Sequence, residues 1–185
     1  MEDQHKSPVN TAMKWGLILG LVGLITTLAL YLTGNYTLDR NTPNMYAKGA
    51  NYLSIAVMIF CVLKAQQDHR DKDLGGFMSY GRGLGTGTLV GLFSGILVGL
   101  FTFVLIKFIQ PDLVDQTLQI AEEQMREKNP NMTDEQIEMG LGIARKFTSP
   151  VAMAFFGLLG QVFLAFVISL LIAAFISKKN PEATV

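Results

Sequence analysis

The sequence predicts an all-α polytopic membrane protein: four transmembrane helices, with an extramembrane helical hairpin between the third and the fourth. Half of the 185 residues are hydrophobic and only 16% are charged, with a mean hydropathy of +0.34. An ordinary soluble domain is about 25% charged. The uncharged stretches are long, since residues 18–35, 49–63, 83–106 and 150–177 contain no Asp, Glu, Lys or Arg. A bilayer core needs roughly 20 mostly apolar residues per helix. Residues 110–149 form the one long polar stretch, and its apolar residues recur at helical rather than irregular spacing.

Span one is expected over about residues 13–33. Lys14 and Trp15 stand at its start and Tyr31 near its end, where interfacial anchors belong. No small-residue cleavage pattern follows a short apolar run, so this helix is expected to remain as an anchor. Residues 34–48 are rich in Asn, Thr, Gly and Pro and read as a loop. Span two, about 49–65, is short; it spans if Tyr46 and Tyr52 sit in the interface and Lys64 snorkels. The "DHRDKD" run at 68–73, followed by Gly75-Gly76, reads as a solvated loop. Span three covers about 84–109, with Lys107 snorkelling from its end.

The 110–149 insertion holds eight acids against four bases. Pro111-Asp112 suits a helix start, and Leu113, Val114, Leu118, Ala121 and Met125 then recur at helical spacing. "NPNMT" at 129–133 breaks that helix, and "TDEQ" at 133–136 has the form of a capping box. In the helix that follows, Ile137, Leu141 and Ala144 share one face, with Met139, Ile143 and Phe147 on the neighbouring one. Ser149-Pro150 is a cap-then-proline opening for span four, about 150–177, which Lys178, Lys179 and Pro181 end.

Span three poses the sharpest question. Seven of the 18 glycines fall within residues 81–99, although glycine disfavours helices. Gly83, Gly87, Gly91, Gly95 and Gly99 are spaced by four without a break, a glycine-zipper pattern. Each step of four turns the row by about 40°, so the row follows a helix ridge and suits a right-handed crossing of roughly −40°. In lipid, close van der Waals approach replaces hydrophobic gain as the force between helices. The row is therefore a groove for another helix of the chain, for a second copy or for lipid. Span one, with Gly16 and Gly20 four apart, is the best internal candidate; Gly157 and Gly160 offer span four as another.

The span interiors carry no ionisable group, unlike the usual transporter or pump. Gln161 is the strongly polar side chain at depth and is expected to form an interhelical hydrogen bond, with a substrate contact as the alternative. Arg82, at the mouth of span three, could meet an anionic lipid headgroup. The glycines around it match neither a Walker A nor a dinucleotide fingerprint. His5 and His69 lie in separate polar segments, so no metal site is expected. Cys61 is a lone thiol in an apolar setting, expected to pack. Formal net charge is zero, which points to no nucleic-acid partner.

An even number of spans puts both termini on one side. The N-terminal lead, the 64–82 connection and the C-terminal tail carry eight of the fifteen Lys and Arg, whereas the first loop carries Arg40 and Lys48. The positive-inside rule then makes the termini cytoplasmic and the hairpin periplasmic.

The runs "FMSYGRGLGTGTLVGLFSGIL" (77–97), "FIQPDL" (108–113), the acidic Met-containing hairpin and "SPVAMAFFGLLGQVFLAFVISLLIAAFISKKN" (149–180) resemble a family of small four-span membrane proteins of Gram-negative bacteria, catalogued as domain of unknown function 4199. That resemblance implies a bacterial inner-membrane protein with four helices, and no activity, cofactor or catalytic residues. The expected function is a non-enzymatic membrane scaffold or accessory subunit, surrounded by membrane lipids and binding a partner membrane protein or a second copy. The alternative is a lipid-handling or small transport protein with a groove between helices.

Overall fold

The structure, a computed structural model, describes residues 6–35 and 44–178. His5, Arg40, Lys179 and Pro181 lie outside them. Six α-helices follow one another: α1 Val9–Leu32, α2 Met45–Asp68, α3 Tyr80–Val104, α4 Leu113–Lys128, α5 Asp134–Phe147 and α6 Pro150–Ile176. Four of them, α1, α2, α3 and α6, are long and apolar enough to cross a membrane. At about 1.5 Å per residue, even the 24 residues of α1 exceed the thickness of the hydrocarbon core.

Local chemistry sets the helix ends. The Asn44 side chain accepts from the amides of Tyr46 and Ala47 and starts α2. Thr133 and Gln136 form the reciprocal capping box of α5, and Ser149 with Pro150 opens α6. Gly75 and Gly76, with φ of 63° and 94°, make the left-handed turn that returns the chain from α2 to α3. Met78 and Lys178 then exchange two backbone hydrogen bonds of 3.0 Å, tying the approach to α3 to the end of α6.

The "DHRDKD" segment corrects the expectation of a solvated loop. The helix of α2 runs on through a π-helical turn, His69–Asp73, and His69 is fully buried. Charge in a short run reads as solvated, but here partners from α1 and α3 take up the polar groups. A second π-helical turn, Leu105–Ile109, ends α3.

Helix α3 is central, with α6 along one side and α1 along another. The core is built of small and medium side chains, among them Ala12, Met58, Cys61, Val62, Val90 and Ala165. Large apolar residues face outward instead: Ile25, Leu100, Phe163, Leu171 and Phe175 are all more than half exposed. Such a surface is untenable in water and natural against acyl chains.

In the hairpin, Ile137 is buried against α4, and a Cβ at Gly140 would lie 3.1 Å from the Met125 sulfur. Arg126 bridges Glu122 and Asp134, and these hydrogen bonds hold its guanidinium above its ordinary pKa. The expected wide apolar stripe is split. Met139, Ile143 and Phe147 stay exposed, and the Phe147 ring lies 5.5 Å from that of Phe156 on α6.

Candidate functional site

The glycine row seats α6. A Cβ at Gly83 would meet Ala173 at 3.2 Å; at Gly87, Ser169 Cβ at 2.7 Å; at Gly91, Ala165 and, at 3.0 Å, the Gln161 carbonyl. Gly95 and Gly99 face the Leu158 and Ala154 carbonyls at 3.3 and 3.2 Å. A side chain added on this row would press on the α6 backbone at Gly91, Gly95 and Gly99, and on the Ala173, Ser169 and Val62 side chains at Gly83 and Gly87. The expectation that span one fills the row is thus corrected. Helix α1 packs on a different face of α3: Gly16 against Val90 and Phe93, Gly20 against Leu97. Both α1 and α6 present small residues at compatible spacing. The face of α6 that fits carries Ala165, Ser169 and Ala173, not Gly157 and Gly160, which meet nothing within 4 Å.

Two amide–hydroxyl pairs cross the bundle. Gln161 Nε2 donates to Ser94 Oγ at 3.1 Å, and Ser94 in turn bonds the Gly91 carbonyl. Gln66 Nε2 donates to Ser169 Oγ at 2.7 Å, and the Ser169 hydroxyl faces the carbonyls of Gly83 and Leu84. Gln66, which follows the expected end of span two, is fully buried, and its Oε1 has no hydrogen-bond partner among the described residues. Its position four before Arg70 gave no hint, because only the continuation of α2 carries it inside.

At the end of the bundle nearer the termini, polar groups from four segments converge. His69 Nδ1 lies 2.9 Å from Asp73 Oδ2, which also accepts from Thr11 of α1. Arg82 Nε meets His69 Nε2 at 3.2 Å, and its guanidinium also bonds the Lys6 carbonyl. A guanidinium can only donate, so Nε2 accepts and Nδ1 carries the hydrogen given to Asp73. Trp15 Nε1 donates to Asp68 at 3.0 Å, and Arg70 to the Ile176 carbonyl at 3.2 Å. Arg82, which the sequence offered as a possible headgroup contact, is turned into this network. With both ring nitrogens engaged, His69 ties the end of α2 to Arg82 of α3 and, through Asp73, to Thr11 of α1. Among the described residues no three His, Cys, Asp or Glu side chains converge as metal ligands.

The opposite end is open. The first half of α2, from Met45 to Val57, has no buried residue, and it stands away from α1. Between them is a cavity of about 640 Å³. Lys48 and Asn51 stand at its rim, Leu19, Met58 and Val98 lie deeper, and Gln161 and the exposed Leu164 line it as well. No motif announced this feature, because it depends on where two helices diverge.

No curated protein and no solved structure matches the chain. The model of the family described as "Protein of unknown function (DUF4199)" matches residues 14–178, and the chain belongs to that family.

Proposed function

We propose that this multi-pass protein is a non-enzymatic scaffold or accessory subunit of a bacterial inner membrane, and that helix α5 is its docking element. The observation that carries this reading is the face formed by Met139, Ile143 and Phe147, which are 70%, 56% and 55% exposed. The other face of α5 is packed on α4, so these three are not needed to close the hairpin. The termini are cytoplasmic and the hairpin periplasmic, an orientation supported by Lys and Arg gathered around the His69 end. The partner is another membrane protein or a second copy of the chain.

A photoreactive residue at Ile143 tests the reading, with one at the exposed Gln119 of α4 as control. Protein adducts at Ile143 alone are expected. Adducts with lipid only would overturn it, placing the face on the bilayer. For orientation, Asn131→Cys should react with an impermeant thiol reagent in intact spheroplasts and Lys178→Cys only after lysis; the native Cys61 is buried. The reverse pattern would invert the topology. A second reading, lipid handling, is favoured by the cavity between α1 and α2.

A further inference from the structure

We propose that the cavity between α1 and α2 binds an anionic amphiphile, with its acyl chain between the two helices and its charged head at Lys48. This inference rests on the lipid-handling reading and names the ligand class and its pose. Three observations lead to it.

The first is size and depth. About 640 Å³ lies within the usual range of roughly 300–1,000 Å³ for small-molecule sites. On α2 the lining extends from Ala47 to Met58, roughly 16 Å along a helix axis. That is about half of the ~30 Å hydrocarbon core, the depth of one leaflet.

The second is the gradient of polarity. The exposed Lys48 and Asn51 occupy the rim, and Leu19, Met58 and Val98 the depth. Two of the three hydroxyls in the lining are already spent. Thr26 Oγ1 donates to the Val22 carbonyl and Ser54 Oγ to that of Ala50, both at 2.8 Å. At the floor the Gln161 amide donates to Ser94. The lining is thus mainly apolar around Leu19, Met58 and Val98, and its polar side chains Asn44, Lys48 and Asn51 belong to the start of α2, an arrangement that suits an amphiphile better than a fully hydrated solute.

The third is charge. Among the described residues lining the cavity, Lys48 alone is charged. It stands in the first turn of α2, where the helix dipole favours negative charge although Asn44 already takes the Tyr46 and Ala47 amides. A carboxylate or phosphate placed there gains a charge-assisted contact, which a neutral head cannot reproduce.

The test uses the full chain in phosphatidylcholine vesicles with a diazirine-bearing hexadecanoate. Saturable labelling at Met58, Val98 and Leu164 is expected, competed by unlabelled hexadecanoate. Lys48→Gln should weaken it by about fivefold or more. Val98→Trp should abolish it by filling the cavity. Should that variant fail to fold, Gly23→Leu serves, since a Cβ there has only Val98 in ordinary contact at 3.5 Å. A diazirine phosphatidylglycerol in parallel separates a lipid phosphate from a free carboxylate as the natural source, since the better competitor identifies it. If hexadecanol carrying the same diazirine labels equally well, lipid handling stands and the anionic assignment falls. Labelling that is unsaturable and as strong at the outward Phe175 would mean ordinary boundary lipid and would overturn both. A cross-link from Val98 to a second copy would overturn the lipid occupant as well.

Discussion

The seam between α3 and α6 and the cleft between α1 and the first half of α2 lie in the same bundle, yet they are packed in opposite ways. Along the seam, glycine on one helix faces Ala165, Ser169, Ala173 or bare backbone on the other. Along the cleft, Tyr46, Tyr52 and Leu53 of α2 are exposed, and a cavity lined by Ile55 and Met58 remains behind them. In water both surfaces would be driven together by burial. In a bilayer the cleft loses little by admitting an acyl chain, because lipid is as apolar as leucine. What joins two helices there is atomic fit, which five glycines in one row supply and a bulky half-helix does not.

The largest break in this contrast should come from Gly91→Leu. Its side chain would run into Ala165 and the Gln161 carbonyl, so overpacking should cost about 3 kcal/mol and lower the melting temperature in detergent. Gly85→Leu, with nothing within 4 Å, should not. Equal melting of the two variants would mean that the seam is not the tight one.

Ser169→Ala comes next. It leaves the buried Gln66 amide without its hydroxyl partner, a loss of about 1–3 kcal/mol. Adding Gln66→Leu should recover much of it, and a double-mutant cycle reads the coupling directly. Additive losses would show that the pair does not interact.

Gly23→Ala sharpens the comparison from the cleft side. A Cβ there meets Val98 at an ordinary 3.5 Å, so the substitution should stabilise by about 0.5–1 kcal/mol through helix propensity. The same change at Gly91 should destabilise. The smallest effect is expected for Gln161→Leu, which removes one interhelical hydrogen bond worth about 0.6 kcal/mol in a membrane. A loss several times larger would place that bond at the centre of the bundle's stability.

Much of this architecture is legible in the residues. The caps at Thr133 and Ser149, the four apolar stretches and the row from Gly83 to Gly99 are local or periodic features, and each follows from rules that act within one helix. The fate of "DHRDKD" was not legible. Its charges suggest water, and only Thr11, Trp15 and Arg82, brought from other segments, make the helical continuation and the burial of His69 affordable. Gln66 follows the same logic, since one more turn of α2 moves it from the surface to the interior.

By itself the sequence determined that the chain is helical, which stretches are apolar enough to span a membrane and that span three carries a bare ridge. Composition and period decide these, because every backbone group in hydrocarbon must be satisfied within its own helix. Which helix lies on that ridge was a matter of tertiary structure. Helices α1 and α6 both offer small residues, and the choice turned on the three-dimensional match of Ala165, Ser169 and Ala173 to the row. The cavity was decided there too, because an empty volume belongs to no residue and exists only where α1 and α2 part.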